Sequence, residues 1–340
     1  MNKLKSFMDT RRDTGLLLAI LVVLTVFVGG RSPEIFFSVE NVKNIALQLV
    51  EYGCFATAFF LTSVCGGMNF ACVTTGNLAA IVMATVYAAL SPTMPVPVAL
   101  LISLVVALVV GAMCGTLIAL LVSRCHLTQL LSTICATRLF EGIAHLVTKS
   151  SSVMGPRPLL KFGSTYIAGV IPALLLLTIA CFVFCSVFLN KTTFGQRTKL
   201  FGLNKTANTY SGINNEVTLI VVYSISGMLS AVGGICILCM FGSTKPDFGT
   251  SLTAMIMLIV LLSGIATSVG ESKVSNVLIA CLCVQVINTG LTLAGSTDYV
   301  AEFMCGAMLL LVILLSNQRF RRLFSDKFKR FCTQNKATRA

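Results

Sequence analysis

The chain has 340 residues, 56% of them hydrophobic and only 11% charged, with a mean hydropathy of +0.91. A soluble domain carries about 25% charged residues, so there is too little polar surface here to coat a water-soluble globule. The formal net charge of +13 would suit a nucleic-acid binder. However, the basic residues gather in polar stretches between long apolar runs, and the largest group is the tail Arg319, Arg321, Arg322, Lys327, Lys329, Arg330, Lys336 and Arg339. That placement is a topology and lipid-headgroup signal, and no nucleic-acid partner is expected.

A bilayer crossing takes roughly 17–25 apolar residues. Such runs fall at 14–30, 42–64, 70–90, 97–122, 128–147, 166–189, 216–240, 251–268, 274–294 and 299–316. The expected fold is therefore an all-α polytopic bundle of about ten helices, one transmembrane domain over 1–340. The first run follows Lys3, Lys5, Arg11 and Arg12 but precedes no small-x-small cleavage site, so it reads as a retained helix. With both termini cytoplasmic, the outer Lys and Arg are only Arg31, Lys43, Lys149, Arg157, Lys161 and Lys245, and Arg138 lies within a helix. The positive-inside rule favours this orientation. Five crossings per half would make the halves inverted, although no sequence repeat accompanies them.

Fourteen cysteines suggest a disulfide or metal framework until they are located. All but Cys125 and Cys332 lie in or beside apolar runs, and none falls in an expected outer loop. Cys236-x-x-Cys239 resembles a zinc pair, but His126 and His145 cannot complete it. Cysteine is read here as a small packing residue. There is no G-x-x-x-x-G-K-[ST] loop, no H-E-x-x-H and no G-x-S-x-G. No catalytic residue, metal or cofactor is expected, and any ATP hydrolysis belongs to a partner.

The most informative stretch is the cytoplasmic loop from about 191 to 215. Asn204 is a good N-cap and Gly212 a good C′ residue, bracketing a short helix over Lys205–Ser211. Such a helix suits docking to another protein; an ordinary connecting loop is the alternative. Phe194, Gly195 and Arg197, then Gly202, Asn204, Ala207, Ser211, Gly212, Ile213 and Asn214, resemble the cytoplasmic loop of sugar-importer permeases. These are the ribose/galactose/autoinducer-2 type membrane subunits of ABC importers, in the branched-chain-transport permease superfamily. The resemblance implies that this loop carries a coupling helix seated in a groove of an ABC ATPase subunit.

A second resemblance lies at Cys65-Gly66-Gly67-Met68-Asn69-Phe70, where the family usually has T-G-G-I-D-L-S-V-G. Gly66 and Gly67 are kept, Asn69 replaces the aspartate, and Val73 stands where a later glycine is usual. Two readings stand: a pore-lining break in the helix, or a tight helix–helix turn. A third resemblance runs from Leu262 to Gly295. It keeps Ser263-Gly264 and Val269-Gly270-Glu271-Ser272 in part, and Asn288-Thr289-Gly290-Leu291-Thr292-Leu293-Ala294-Gly295 well.

The resemblance further implies a second permease copy or paralogue, an extracytoplasmic solute-binding protein and residence in the bacterial inner membrane. Gly66, Gly67, Asn69, Asn77, Gln285 and Asn288 are candidates for the translocation path; hydrogen bonding between helices is the alternative for the polar three on spans. Arg138 and Glu141, one turn apart, are expected to pair structurally. Glu51 is read as lying near an outer helix end. A stand-alone secondary transporter or channel for a small polar solute is the alternative function.

Overall fold

The computed structural model describes most of residues 14–30, residues 33–249 except 168 and 170, and 251–265, 273–293 and 303–310, with isolated positions between them. The basic tail, Arg31, Val269, Glu271, Ser272, Ala294 and Cys332 lie outside the described residues. After a single helical turn at Pro33–Phe36, four long helices follow: α1 (Val39–Val64), α2 (Cys72–Leu90), α3 (Val96–Ser123) and α4 (Gln129–Thr148). Then come β1 (Val153–Met154), α5 (Arg157–Gly163), a two-stranded hairpin of β2 (Tyr166–Ile167) and β3 (Ile171–Pro172), and α6 (Ala173–Lys191). Two short helices, α7 (Thr193–Leu203) and α8 (Lys205–Tyr210), lead into α9 (Asn215–Phe241), β4 (Ser243–Thr244), α10 (Leu252–Val260) and α11 (Val274–Leu293).

Among the described residues, seven helices are long and apolar enough to cross a membrane: α1, α2, α3, α4, α6, α9 and α11. The chain is an all-α polytopic membrane protein. The described residues of the runs at 14–30, 251–268 and 299–316 are largely helical, the last over 303–310. The sixth run, expected at 166–189, becomes a helix only at Ala173. Pro172 has no N–H to donate into a preceding turn, and 166–172 fold instead as the β2–β3 hairpin. The eighth run is not one straight helix: a π turn at Leu261–Ile265 contains Gly264 at φ 91, a conformation that ends α-helical hydrogen bonding. Glu51 is not at an outer end. It is half-buried near the middle of α1.

Caps explain where several helices begin. Ser38, Thr128 and Asn214 accept hydrogen bonds from backbone N–H groups in the first turns of α1, α4 and α9, satisfying donors that a helix start otherwise leaves free. Helix α9 is the axis of the bundle, packed on α3, α2 and α1. Hydrophobicity cannot drive that association in lipid, so close backbone packing has to. A Cβ at Gly111 of α3 would meet the Gly227 carbonyl of α9, and one at Gly227 would meet the Gly111 carbonyl. On the other flank a Cβ at Gly234 of α9 would meet the Gly76 carbonyl of α2, and one at Gly76 would meet the Ser230 carbonyl of α9. Cysteines fill the same role of small residue: Cys54, Cys185, Cys236 and Cys281 are fully buried. All thirteen described cysteines are free thiols.

Candidate functional site

Three regions hold most of the residues singled out by sequence. The first is a two-helix shelf at the end of the bundle rich in basic residues. Helix α7 was not expected; the short helix was, with α8 ending one residue earlier than Ser211. Thr192 caps α7 by accepting from the Gly195 N–H at 3.0 Å. Its inner face is Gly195, Thr198 and Phe201, all buried, at the three-residue spacing that keeps side chains on one face. A Cβ at Gly195 would strike the Phe188 carbonyl, so α7 lies directly on α6. Phe194 is half-buried, and the Arg197 guanidinium stands over its ring at 5.4 Å. Lys199 donates to Asn190 Oδ1 at 2.7 Å, and partial burial pushes its pKa down.

Asn204 accepts from the Thr206 and Ala207 N–H groups, both at 3.0 Å, and so starts α8. Gly212 turns the chain at φ +74, beyond the reach of most L-residues. A residue that sequence reading passed over locks this corner. Asn208 is buried and donates to Asn215 Oδ1 at 2.7 Å, while Asn215 donates to Thr209 Oγ1 at 2.7 Å. The outer face of the shelf carries Arg197, Leu200, Leu203, Lys205, Ala207 and Tyr210, all exposed; Gly202 and Ile213 are half-buried, and Ser211 is exposed. Arg124, at the end of α3, pairs with Glu216 at the start of α9 on the same side, and that contact raises the arginine's pKa.

The second region is the break between α1 and α2. Gly66 has φ +79, and a Cβ on Gly67 would collide with the Gln129 side chain and reach the Tyr223 hydroxyl. Asn69 is buried; its side chain accepts from the Ala71 N–H at 3.1 Å and donates to Ser226 Oγ at 3.4 Å. Ser226 lies three turns into α9 from Asn215, about 16 Å along the axis at ~1.5 Å per residue. The chain therefore reverses well inside the bundle rather than at its surface. Non-helical backbone at such depth is tolerated only within protein or beside a wet cavity.

The third region is a cavity of ≈ 250 Å³ between α2, α4 and the stretch from Pro246 to Thr253. Phe70, next to Asn69, forms part of its wall, as do Thr74, Thr137 and Phe248. Asn77 lines it too, but its amide is committed. It donates to the carbonyls of Lys245 and Pro246 at 2.9 Å each and of Phe248 at 3.1 Å, and accepts from Thr244 Oγ1 at 2.7 Å. One side chain thus ties the 244–248 loop over the cavity. Asn77→Leu removes those donors at nearly constant volume, and stranded carbonyls cost about 1–3 kcal/mol. The expected result is a lower thermal midpoint in detergent and faster proteolysis within 242–249; an unchanged protease pattern would contradict the clamp.

Arg138 and Glu141 form the ion pair expected from their spacing, at 2.9 Å, and both line the cavity. One turn further, His145 contacts Asp247 at 3.0 Å and Ser150 at 3.1 Å. Glu141, His145 and Asp247 are near enough to share a metal ion, but Glu141 is held by Arg138 and both ring nitrogens of His145 are engaged. Gln285 and Asn288 lie on α11, which packs against α1, and are not part of this cavity wall. Gln285 is fully buried, and among the described residues neither of its amide atoms has a partner.

Comparison of the sequence with known proteins points to transport. Residues 41–313 match the family described as "Branched-chain amino acid transport system / permease component". The chain is 28% identical over 303 residues to the ribose import permease protein of Bacillus subtilis (strain 168), covering 88% of this chain and 91% of that protein. It is 26% identical over 305 residues to the autoinducer 2 import system permease protein of Photorhabdus luminescens, covering 87% and 89% respectively. The corresponding permease protein of Escherichia coli (strain K12) is 26% identical over 305 residues, covering 88% and 90%. With a match across most of its length and seven spanning helices of the expected kind, the chain belongs to the branched-chain amino acid transport system permease family and is similar within it to sugar-import permeases.

Proposed function

We propose that this chain forms the translocation path of a bacterial inner-membrane ABC importer for a sugar or sugar-like solute. The observation that carries the reading is the shelf of α7 and α8. It projects exposed Leu200, Leu203 and Tyr210 among Arg197 and Lys205 from the basic end of a bundle whose relatives are import permeases. A separate ABC ATPase subunit grips that shelf, and an extracytoplasmic solute-binding protein delivers the solute to the opposite face. A second permease, copy or paralogue, completes the path. The bundle has ten crossings with both termini cytoplasmic. ATP binding closes the ATPases, the shelf moves with them, and the bundle exchanges inward for outward access. The permease itself hydrolyses nothing. Phe194, Gly195, Arg197, Gly202, Asn204, Ala207, Ser211, Gly212 and Ile213 form the coupling element, and Gly66, Gly67 and Asn69 form a pore-lining break in the helix.

Co-purification in mild detergent with the candidate ATPase tests this, comparing wild type with a variant scrambled over 204–213. Association that depends on those residues is the expected result. A chain that never binds an ATPase would leave the stand-alone secondary transporter. That second reading is favoured by one observation, the Arg138–Glu141 pair facing the cavity, and it predicts gradient-driven flux through the purified chain alone.

A further inference from the structure

Arg138 is the tenth of twenty residues in α4, and its side chain is 80% exposed. A guanidinium at the middle of a spanning helix costs about 2.5–3.5 kcal/mol even on the lenient insertion scales if it meets acyl chains. It borders the cavity between α2, α4 and the 246–253 stretch, where a few polar groups converge within a mostly apolar wall, the usual make-up of a small-molecule site. Its partner Glu141 is largely shielded, with a side chain 18% exposed. The pair is neutral as a unit, yet the carboxylate's remaining lone pairs and the guanidinium's remaining N–H groups are free to bond elsewhere. Around it stand two hydroxyls, Thr74 and Thr137, and two aromatic rings, Phe70 and Phe248.

We infer that this cavity is a solute-binding site within the permease and that Arg138 and Glu141 set its selectivity for uncharged polyhydroxylated solutes. Adjacent hydroxyls on such a solute donate to the Glu141 carboxylate and accept from the Arg138 guanidinium. Charge-assisted bonds of this kind are roughly twice as strong as neutral ones. The C–H face of a sugar ring lies on an aromatic ring, and a cavity of ≈ 250 Å³ is below the roughly 300–1,000 Å³ of drug-sized sites, as a single small ring requires. Because each charge is already compensated by the other, the pair offers a charged solute no unpaired counter-ion to offset its desolvation, and neutral hydroxyl-rich solutes are preferred. Selection then does not depend wholly on the external receptor. The inference rests on the permease reading above.

The test is ATP-dependent uptake into proteoliposomes by the assembled importer, first over a labelled panel of uncharged pentoses, hexoses and linear polyols, D-ribose among them, and their carboxylate and phosphate derivatives. Wild type should accept at least one uncharged member and reject the anions. Glu141→Gln keeps the shape but leaves Arg138 unbalanced. It should raise KM for the accepted solute at least tenfold with little change in maximal rate, and should admit anionic derivatives. If Glu141→Gln fails to insert, the exchange R138E/E141R, which keeps an ion pair, decides: a changed solute ranking supports the site. An unchanged KM and ranking in the variant that inserts would make the pair structural and overturn the inference. A wild type that couples to its ATPase but accepts only charged solutes would also overturn it. Absence of ATPase coupling in wild type would instead refute the permease reading.

Discussion

Gly227→Val should remove the folded protein from detergent extracts. The contact at this crossing is backbone against backbone: a Cβ on Gly227 would sit on the Gly111 carbonyl and its carbon, with the Gly115 nitrogen next in line at 3.2 Å. A flexible side chain can swing away from an intruding methyl group, whereas two helix backbones can only separate. Overpacking a core costs about 1–3 kcal/mol where side chains adjust, so a cost at or above ~3 kcal/mol is expected here. Separation would also open the neighbouring contacts, because α9 is packed on α2 and α1 as well. Size-exclusion profiles of tagged protein in mild detergent read the effect, and the monodisperse peak should fall to a small fraction of wild type. Gly142→Val on the exposed face of α4, where nothing lies within 4 Å, is the matched control and should leave the peak intact. A normal Gly227→Val peak would mean that α3 and α9 do not cross at these glycines.

The second large effect separates function from folding. Gly212 has φ +74 and open space around it. Gly212→Trp therefore meets no steric barrier inside the bundle and pays only the left-handed backbone cost, about 1–2 kcal/mol. The indole would project from the corner between α8 and α9, across the face assigned to the ATPase. Uptake should fall to background, at least a hundredfold, while membrane insertion and the size-exclusion profile stay close to wild type. Gly212→Ala carries the same backbone strain without the bulk and should keep most of its uptake. Normal transport by Gly212→Trp would remove the shelf from the coupling mechanism.

Composition and apolar run length determined the membrane class and the placement of seven spanning helices, because burying backbone in lipid requires long uninterrupted helices. Capping chemistry determined the start of α8 as well: Asn204 supplies its own acceptor to the next turn, a local interaction that sequence displays. The resemblance at residues 194–214 pointed to the family that the 41–313 match establishes. Helix α7 was missed since its support is tertiary. Gly195 and Phe201 become a buried face only because α6 lies beneath them. The short hairpin at 166–172 looked like the start of a helix because its residues are apolar, and Pro172 decided otherwise.

The roles of single polar residues were decided by tertiary structure alone. Asn69 and Asn77 are both buried amides in or beside apolar runs, yet one braces the α1–α2 break against Ser226 and the other ties down the loop that follows α9. Arg138 and Glu141 announced a pair by their spacing, but not that both would face a cavity with Phe70 and Phe248. Periodicity reports which residues share a face of one helix. Which space that face borders is set by helices far away in sequence, joined through contacts whose partners no local pattern names.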